Sequence, residues 1–252
     1  MHRPRLIPCL LLDGHRLVKT TRFERPAYVG DPINTLKIFN EKEVDELIVL
    51  DIGASKTGAP PDFDLVAGIA SECFMPMCYG GGIRSVDDAE RLIASGVEKI
   101  AINSAALDRP ALIGEIARRY GSSSVVVGID VRKAWLKGQR VWHSGQRKST
   151  GKKVLDWARQ ATEAGAGELL LNAVDRDGTL EGYDLDLVRE VTAAVTVPVI
   201  ACGGASGLPD CKAVITSAGA SAAAAGALFV YKGPHRAVLI NYPTPAQLQE
   251  LF

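Results

Sequence analysis

Two glycine-rich turns, Gly80-Gly81-Gly82 and Cys202-Gly203-Gly204, each follow a short apolar run and precede a segment of helical periodicity. Backbone N–H groups at such turns stand free to approach an anion, and two of them suit a ligand with a phosphate at each end. Gly81, Gly82, Gly203 and Gly204 are therefore candidate phosphate cradles, with Asn103 and Ser104 completing one and Gly226 the other. Glycine also serves ordinary strand-to-helix turns; what favours the phosphate reading is the repetition of the motif half a chain apart. Two carboxylates, Asp130 closing the apolar run 125–129 and Asp177 in Asp175-Arg176-Asp177-Gly178-Thr179, are candidates for general acid and base work in a shared cavity. An Asp at such a position can equally cap a helix or bind a loop N–H. Asp175 is read as ordering its turn, and Asp51 as structural, because Asp51 has Ala173 as its mate in the repeat described below.

A different set, Arg5, Glu46, Lys99 and Glu168, lies at the starts of apolar runs. If the runs are parallel strands of one barrel, all four fall on the face away from the glycine turns. Two cations and two carboxylates there can close the barrel with a ring of ion pairs.

The elements that must position these residues are short runs rich in Val, Ile and Leu at 6–12, 47–52, 75–79, 99–103, 124–130, 168–173, 197–202 and 220–226. They lack strict polar/apolar alternation, as strands buried on both faces of a parallel sheet do. Helical periodicity fills 32–43, 62–72, 86–95, 110–120, 152–164, 186–194, 208–217 and 244–251. Asp31-Pro32 and Asp108-Arg109-Pro110 read as helix starts. Eight such alternations match a (β/α)8 barrel, and an open doubly wound sheet would alternate likewise. A shift of roughly 120 residues decides between them: it lays Gly81-Gly82 on Gly203-Gly204 and Leu47-Ile48-Val49 on Leu169-Leu170-Leu171. The expectation is α/β, a single TIM barrel over residues 1–252 with an internal half-barrel duplication, the halves being roughly 1–120 and 121–252.

Composition narrows the function classes. With 29 Lys+Arg against 29 Asp+Glu, the net charge is zero, which argues against nucleic acid as a partner. Five scattered cysteines show no zinc or redox spacing, so reduced thiols and a cytoplasmic location are expected, with no metal and no cofactor. The basic start followed by the apolar run 6–12 imitates a secretory leader. Asp13-Gly14-His15-Arg16 follows without a small-residue cleavage site, so a buried first strand is expected instead. The apolar stretch 213–231 is broken by Gly and Ser, and no membrane role is expected.

The motifs Ile7-Pro8-Cys9-Leu10, Val18-Lys19, Gly30-Asp31-Pro32, Asp45-Glu46-Leu47, Gly80-Gly81-Gly82-Ile83, Ile102-Asn103, Asp130, Asp175-Arg176-Asp177-Gly178-Thr179 and Gly203-Gly204 together resemble the cyclase subunit of imidazole glycerol phosphate synthase. The resemblance spans almost the whole chain. It implies a (β/α)8 barrel that receives ammonia from a glutaminase subunit docked on its N-terminal face and acts on a phosphorylated small molecule in histidine biosynthesis. By the same resemblance Arg5, Glu46, Lys99 and Glu168 match an ammonia gate, Glu98 falls at a glutaminase-contact position, and Lys19, Asp130 and Asp177 match the catalytic set.

One departure stands out. The family's first-strand catalytic Asp lies two residues after the Cys, and that position is Leu11 here. Lys19 aligns without a gap, so Asp13 belongs to the following loop and is no substitute. A leucine exchanges no proton, and losing a general acid or base costs about 10²- to 10⁴-fold. With Ala201-Cys202-Gly203-Gly204 and His235-Arg236-Ala237-Val238-Leu239-Ile240, the pattern resembles a paralogous branch associated with acetamidino-sugar formation in surface polysaccharides (lipopolysaccharide). Its members relay glutaminase-derived ammonia to a sugar amidotransferase. Two readings follow, a relay barrel and a genuine cyclase.

Overall fold

The computed structural model describes residues 4–134 and 138–252; the basic start at 1–3 lies outside them. Eight parallel strands close on themselves: β1 (Arg5–Asp13), β2 (Leu47–Asp51), β3 (Met77–Gly80), β4 (Lys99–Ile102), β5 (Val125–Ala134), β6 (Glu168–Ala173), β7 (Val199–Cys202) and β8 (Ala222–Ala225). Closure runs through β8 on β1, Arg5 opposite Ala222, and through β5 on β6, Asp130 opposite Asn172. The result is a (β/α)8 TIM barrel, whose strand ends all point to one face.

The helices between the strands are α1 (Pro32–Glu41), α2 (Phe63–Ser71), α3 (Val86–Ala94), α4 (Ala111–Tyr120), α5 (Val154–Glu163), α6 (Leu185–Ala194), α7 (Leu208–Thr216) and α8 (Pro245–Leu251). Asp31 caps α1 by accepting from the Asn34 N–H at 2.9 Å, with Pro32 in the first turn. Ser85 and Asp88 form a reciprocal capping box on α3. Asp108 caps nothing and turns to His143 instead, leaving α4 to start from Pro110 without a side-chain cap.

Two layers of core result. Leu, Ile, Val and Ala on the outer strand faces pack under the helices, while Ile7, Ile48, Cys78, Val126, Leu170 and Ile200 fill the barrel axis. Each fully buried aliphatic side chain of this kind contributes about 1.5–3 kcal/mol. All five cysteines are free thiols, four of them buried. Among the described residues no helix is long and apolar enough to cross a membrane.

Three additions at the strand C-terminal face do not appear in the sequence reading. Arg16–Thr21 and Glu24–Gly30 form an antiparallel hairpin after β1. The extended end of β5 pairs with Gly138–His143, and Tyr231–Lys232 pairs with Ala237–Val238 after β8.

Candidate functional site

A cavity of about 660 Å³ opens at the C-terminal ends of the strands. Its floor is made of small residues, Cys9, Gly80, Gly128 and Cys202, so the cavity reaches down into the barrel mouth. Lys19, Asp130, Asp177, Gly81, Gly82, Asn103, Ser104 and Gly226 all line it, as does Leu11. Gly203 and Gly204 are buried and do not line it, and neither does Asp13, whose carboxylate pairs with Lys56 at 3.1 Å.

Asp130 lies near the end of the buried part of β5, which runs through Val131, and is itself buried. Burial lifts its carboxyl to about 6, against hydrogen bonds from Ser144 and Asn103 that favour the charged form, with Asp177 adding to the rise. Asn103 Nδ2 donates to Asp130 Oδ2 at 2.7 Å, and the Ser144 hydroxyl donates to the same oxygen. A carboxyl poised near neutrality inside a cavity can both take and return a proton.

Lys19 and Asp177 meet each other. Nζ donates to Oδ1 at 2.7 Å with both side chains buried, and the Thr20 hydroxyl donates to Oδ2 at 3.1 Å. The pair ties the hairpin after β1 to the loop after β6. Asp51 caps the short helix Ile52–Thr57 through the Ala54 N–H at 2.9 Å, and burial pushes its carboxyl up. Asp175 accepts from the Lys133 N–H at 2.8 Å, tying its turn to the end of β5.

Ser144 is a site residue that sequence reading missed. The segment after Gly138–His143 brings it back over the cavity, where His143 fastens it: Nε2 lies 3.1 Å from Asp108 Oδ1, and Nδ1 accepts from the Gln146 N–H at 3.0 Å. Gly145 N–H donates to Ser104 Oγ at 3.2 Å, joining this strap to the first glycine cradle.

At the opposite end, the first residues of β1, β4 and β6 and the residue before β2 come together. Lys99 Nζ lies 2.9 Å from Glu46 and 2.9 Å from Glu168, and Arg5 bridges the same two carboxylates. The four form one closed ring around the barrel axis. Burial works against the positive charges of Arg5 and Lys99, but Glu168 and Glu46 outweigh it, and both cations are held more firmly protonated than usual. Glu98, exposed and next to Lys99, stands on the rim.

Residues 5–235 match the family described as Histidine biosynthesis protein. The chain belongs to that family. It is 51% identical over 243 residues to a Pseudomonas aeruginosa protein provisionally named imidazole glycerol phosphate synthase subunit hisF2, covering 96% of this chain and 97% of that one. A Vibrio vulnificus protein provisionally named subunit hisF3 is 46% identical over 249 residues, 98% and 95% of the two chains. The imidazole glycerol phosphate synthase subunit HisF of Micrococcus luteus is 42% identical over 234 residues, 91% of each. The chain is thus a HisF-type barrel subunit, carrying Leu11 in its cavity.

Proposed function

We propose that this HisF-type barrel relays ammonia. A glutaminase docks on the N-terminal face beside Glu98, its ammonia enters through the ring of Arg5, Glu46, Lys99 and Glu168, and it leaves through the C-terminal cavity toward an acceptor. The end use is amidination of a sugar, with a sugar amidotransferase as the second partner. The barrel itself is read as two fused halves, roughly 1–120 and 121–252. Neither metal nor cofactor enters this reading.

The observation that carries it is Leu11 in the cavity wall. Closing an imidazole ring after ammonia addition requires proton transfers on both sides of the reacting atoms; Asp130 offers a poised carboxyl on its side, while the facing position holds Leu11 and the neighbouring Asp51 is engaged in capping the helix Ile52–Thr57. The second reading, a genuine imidazole glycerol phosphate synthase cyclase, is favoured by Asp130 and by the retained Lys19–Asp177 pair beside an open cavity. An assay with the bis-phosphorylated ribosyl-aminoimidazole precursor and ammonium salt at alkaline pH separates them. Weak or absent turnover is expected; turnover at the rate of an authentic cyclase would replace the relay with the second reading.

A further inference from the structure

The turn 144–147 hangs over the cavity between two short paired strands, Gly138–His143 and Lys148–Ser149, and residues 143 to 147 all line the cavity wall. Within itself it closes through the Arg147 N–H on Ser144 O at 3.3 Å, with Arg147 in the left-handed region at φ 50°. An L-residue adopts that conformation at a cost, so the turn needs holding from outside. The holding comes from one short helix, Ser104–Asp108. Its first residue takes the Gly145 N–H on Ser104 Oγ at 3.2 Å, and its last, one turn further on, faces His143 Nε2 with Asp108 Oδ1 at 3.1 Å.

The His143 ring is buried, and protein groups occupy both of its nitrogens. Nδ1 accepts from the Gln146 N–H at 3.0 Å and so carries no hydrogen; the ring hydrogen sits on Nε2 and is donated to Asp108. In the other tautomer an N–H would meet an N–H, and the Gln146 amide would lose its acceptor. Neither nitrogen is left for a ligand, whereas the next residue in the chain reaches the candidate proton-exchanging group. Ser144 donates to Asp130 Oδ2, the oxygen that also receives Asn103 Nδ2 at 2.7 Å. Both bonds favour the charged carboxylate over the protonated one. Asn103 directly follows β4 and is fixed by it; Ser144 stands only as firmly as its turn does.

We infer that His143 is a positioning residue: as the Nε2–H tautomer it seats the turn 144–147, the turn seats the Ser144 hydroxyl, and that hydroxyl sets how readily Asp130 gives up its proton. This chain of contacts acts on Asp130 whichever ligand the cavity takes, and so holds for a relay and for a cyclase alike.

The test follows the isotope-labelled Asp130 carboxyl by NMR through a pH titration of the full chain, with Asp130→Asn to assign the signal. Ser144→Ala should raise the titration midpoint by about one pH unit, since a hydrogen bond to a charged group is removed. His143→Leu should raise it by the same amount, and the double variant no further than Ser144→Ala alone. His143→Asn, whose side-chain oxygen can stand in for Nδ1 toward the Gln146 N–H, should return the midpoint to within about 0.3 pH unit of the parent. Nitrogen NMR shifts of the ring in the unmodified chain give a second reading that no substitution can disturb, and the neutral Nε2–H form is expected there. A midpoint unmoved by His143→Leu, additive shifts in the double variant, no rescue by His143→Asn, or a neutral ring carrying its hydrogen on Nδ1 would each overturn the inference.

Discussion

Leu11 and Asp130 line one cavity from β1 and β5, strands that stand half-way round the barrel from each other. One wall therefore carries a carboxyl near neutrality and the opposite wall a side chain that exchanges no proton. Leu11→Asp should raise ammonia-dependent cyclase turnover at least about tenfold from a low baseline, since a positioned acid or base is worth about 10²- to 10⁴-fold. Steady-state rates with ammonium and the bis-phosphorylated precursor measure it. An unmodified chain already turning over at full rate would show that Leu11 removes nothing.

Asp130 also writes itself into the pH dependence of stability. Its carboxyl is raised to about 6 in the folded chain, chiefly by burial, so the native state binds the proton more tightly than the unfolded state. Stability is then greatest below the unfolded value and declines as pH rises from about 4 to about 6, by about 3 kcal/mol in total, and is flat in this respect above that. Urea denaturation across pH 4–8 should show the decline in the parent and lose it in Asp130→Asn. A slope that survives the substitution would assign it to another group.

The Lys19–Asp177 pair is a buried contact between two loops, so breaking it from one side strands a charge. Asp177→Asn should cost about 3–5 kcal/mol, measured by the urea midpoint, because Lys19 keeps its charge without a counter-ion. Replacing both, as Lys19→Met with Asp177→Leu, should recover much of that loss. Additive losses in the double variant would mean that the two side chains do not act as a pair.

For the ring at the N-terminal face, Lys99→Ala should lower glutamine-dependent function of the assembled complex more than function supplied with external ammonium. Equal losses under the two nitrogen sources would make the ring a structural clasp. Glu98→Lys should weaken binding of the glutaminase by charge reversal at the rim, with the larger effect at low salt. Titration of the two subunits at two ionic strengths reads it directly.

How far these residues could be read from sequence depends on what fixes their position. Arg5, Lys99 and Glu168 are strand-initial, and in a parallel barrel every strand start lies on one face, so periodicity alone brought them together. Asp51 was legible as structural because its repeat mate, Ala173, carries no side-chain oxygen, and the structure gives that role as a helix cap. Ser144 was not legible, because it reaches Asp130 only through the excursion that pairs with the extended end of β5. The hairpin after β1 escaped for a local reason. Its turn residues, Arg22 and Phe23, both adopt positive φ, at 54° and 63°, a conformation normally signalled by Asn or Gly. Gly203-Gly204 repeats Gly81-Gly82 in sequence, and loop backbone lies close against both turns, at 59–61 on Gly82 and at Gly182 on Gly204, yet only the first pair lines the cavity.

Lys99 and Arg5 each span the same two carboxylates, Glu46 and Glu168. If the ring opens as the proposed relay requires, a swing of Lys99 alone would leave both acids tethered by Arg5, and the strands could stay still. Side-chain rotations of that kind take picoseconds to nanoseconds when exposed, far faster than backbone rearrangement. The ring's two positive and two negative charges also cancel. On the relay proposed above, an arriving ammonium ion would find no vacant carboxylate, while uncharged ammonia would disturb no pairing as it crosses, so the doorway would sort its traffic by protonation state.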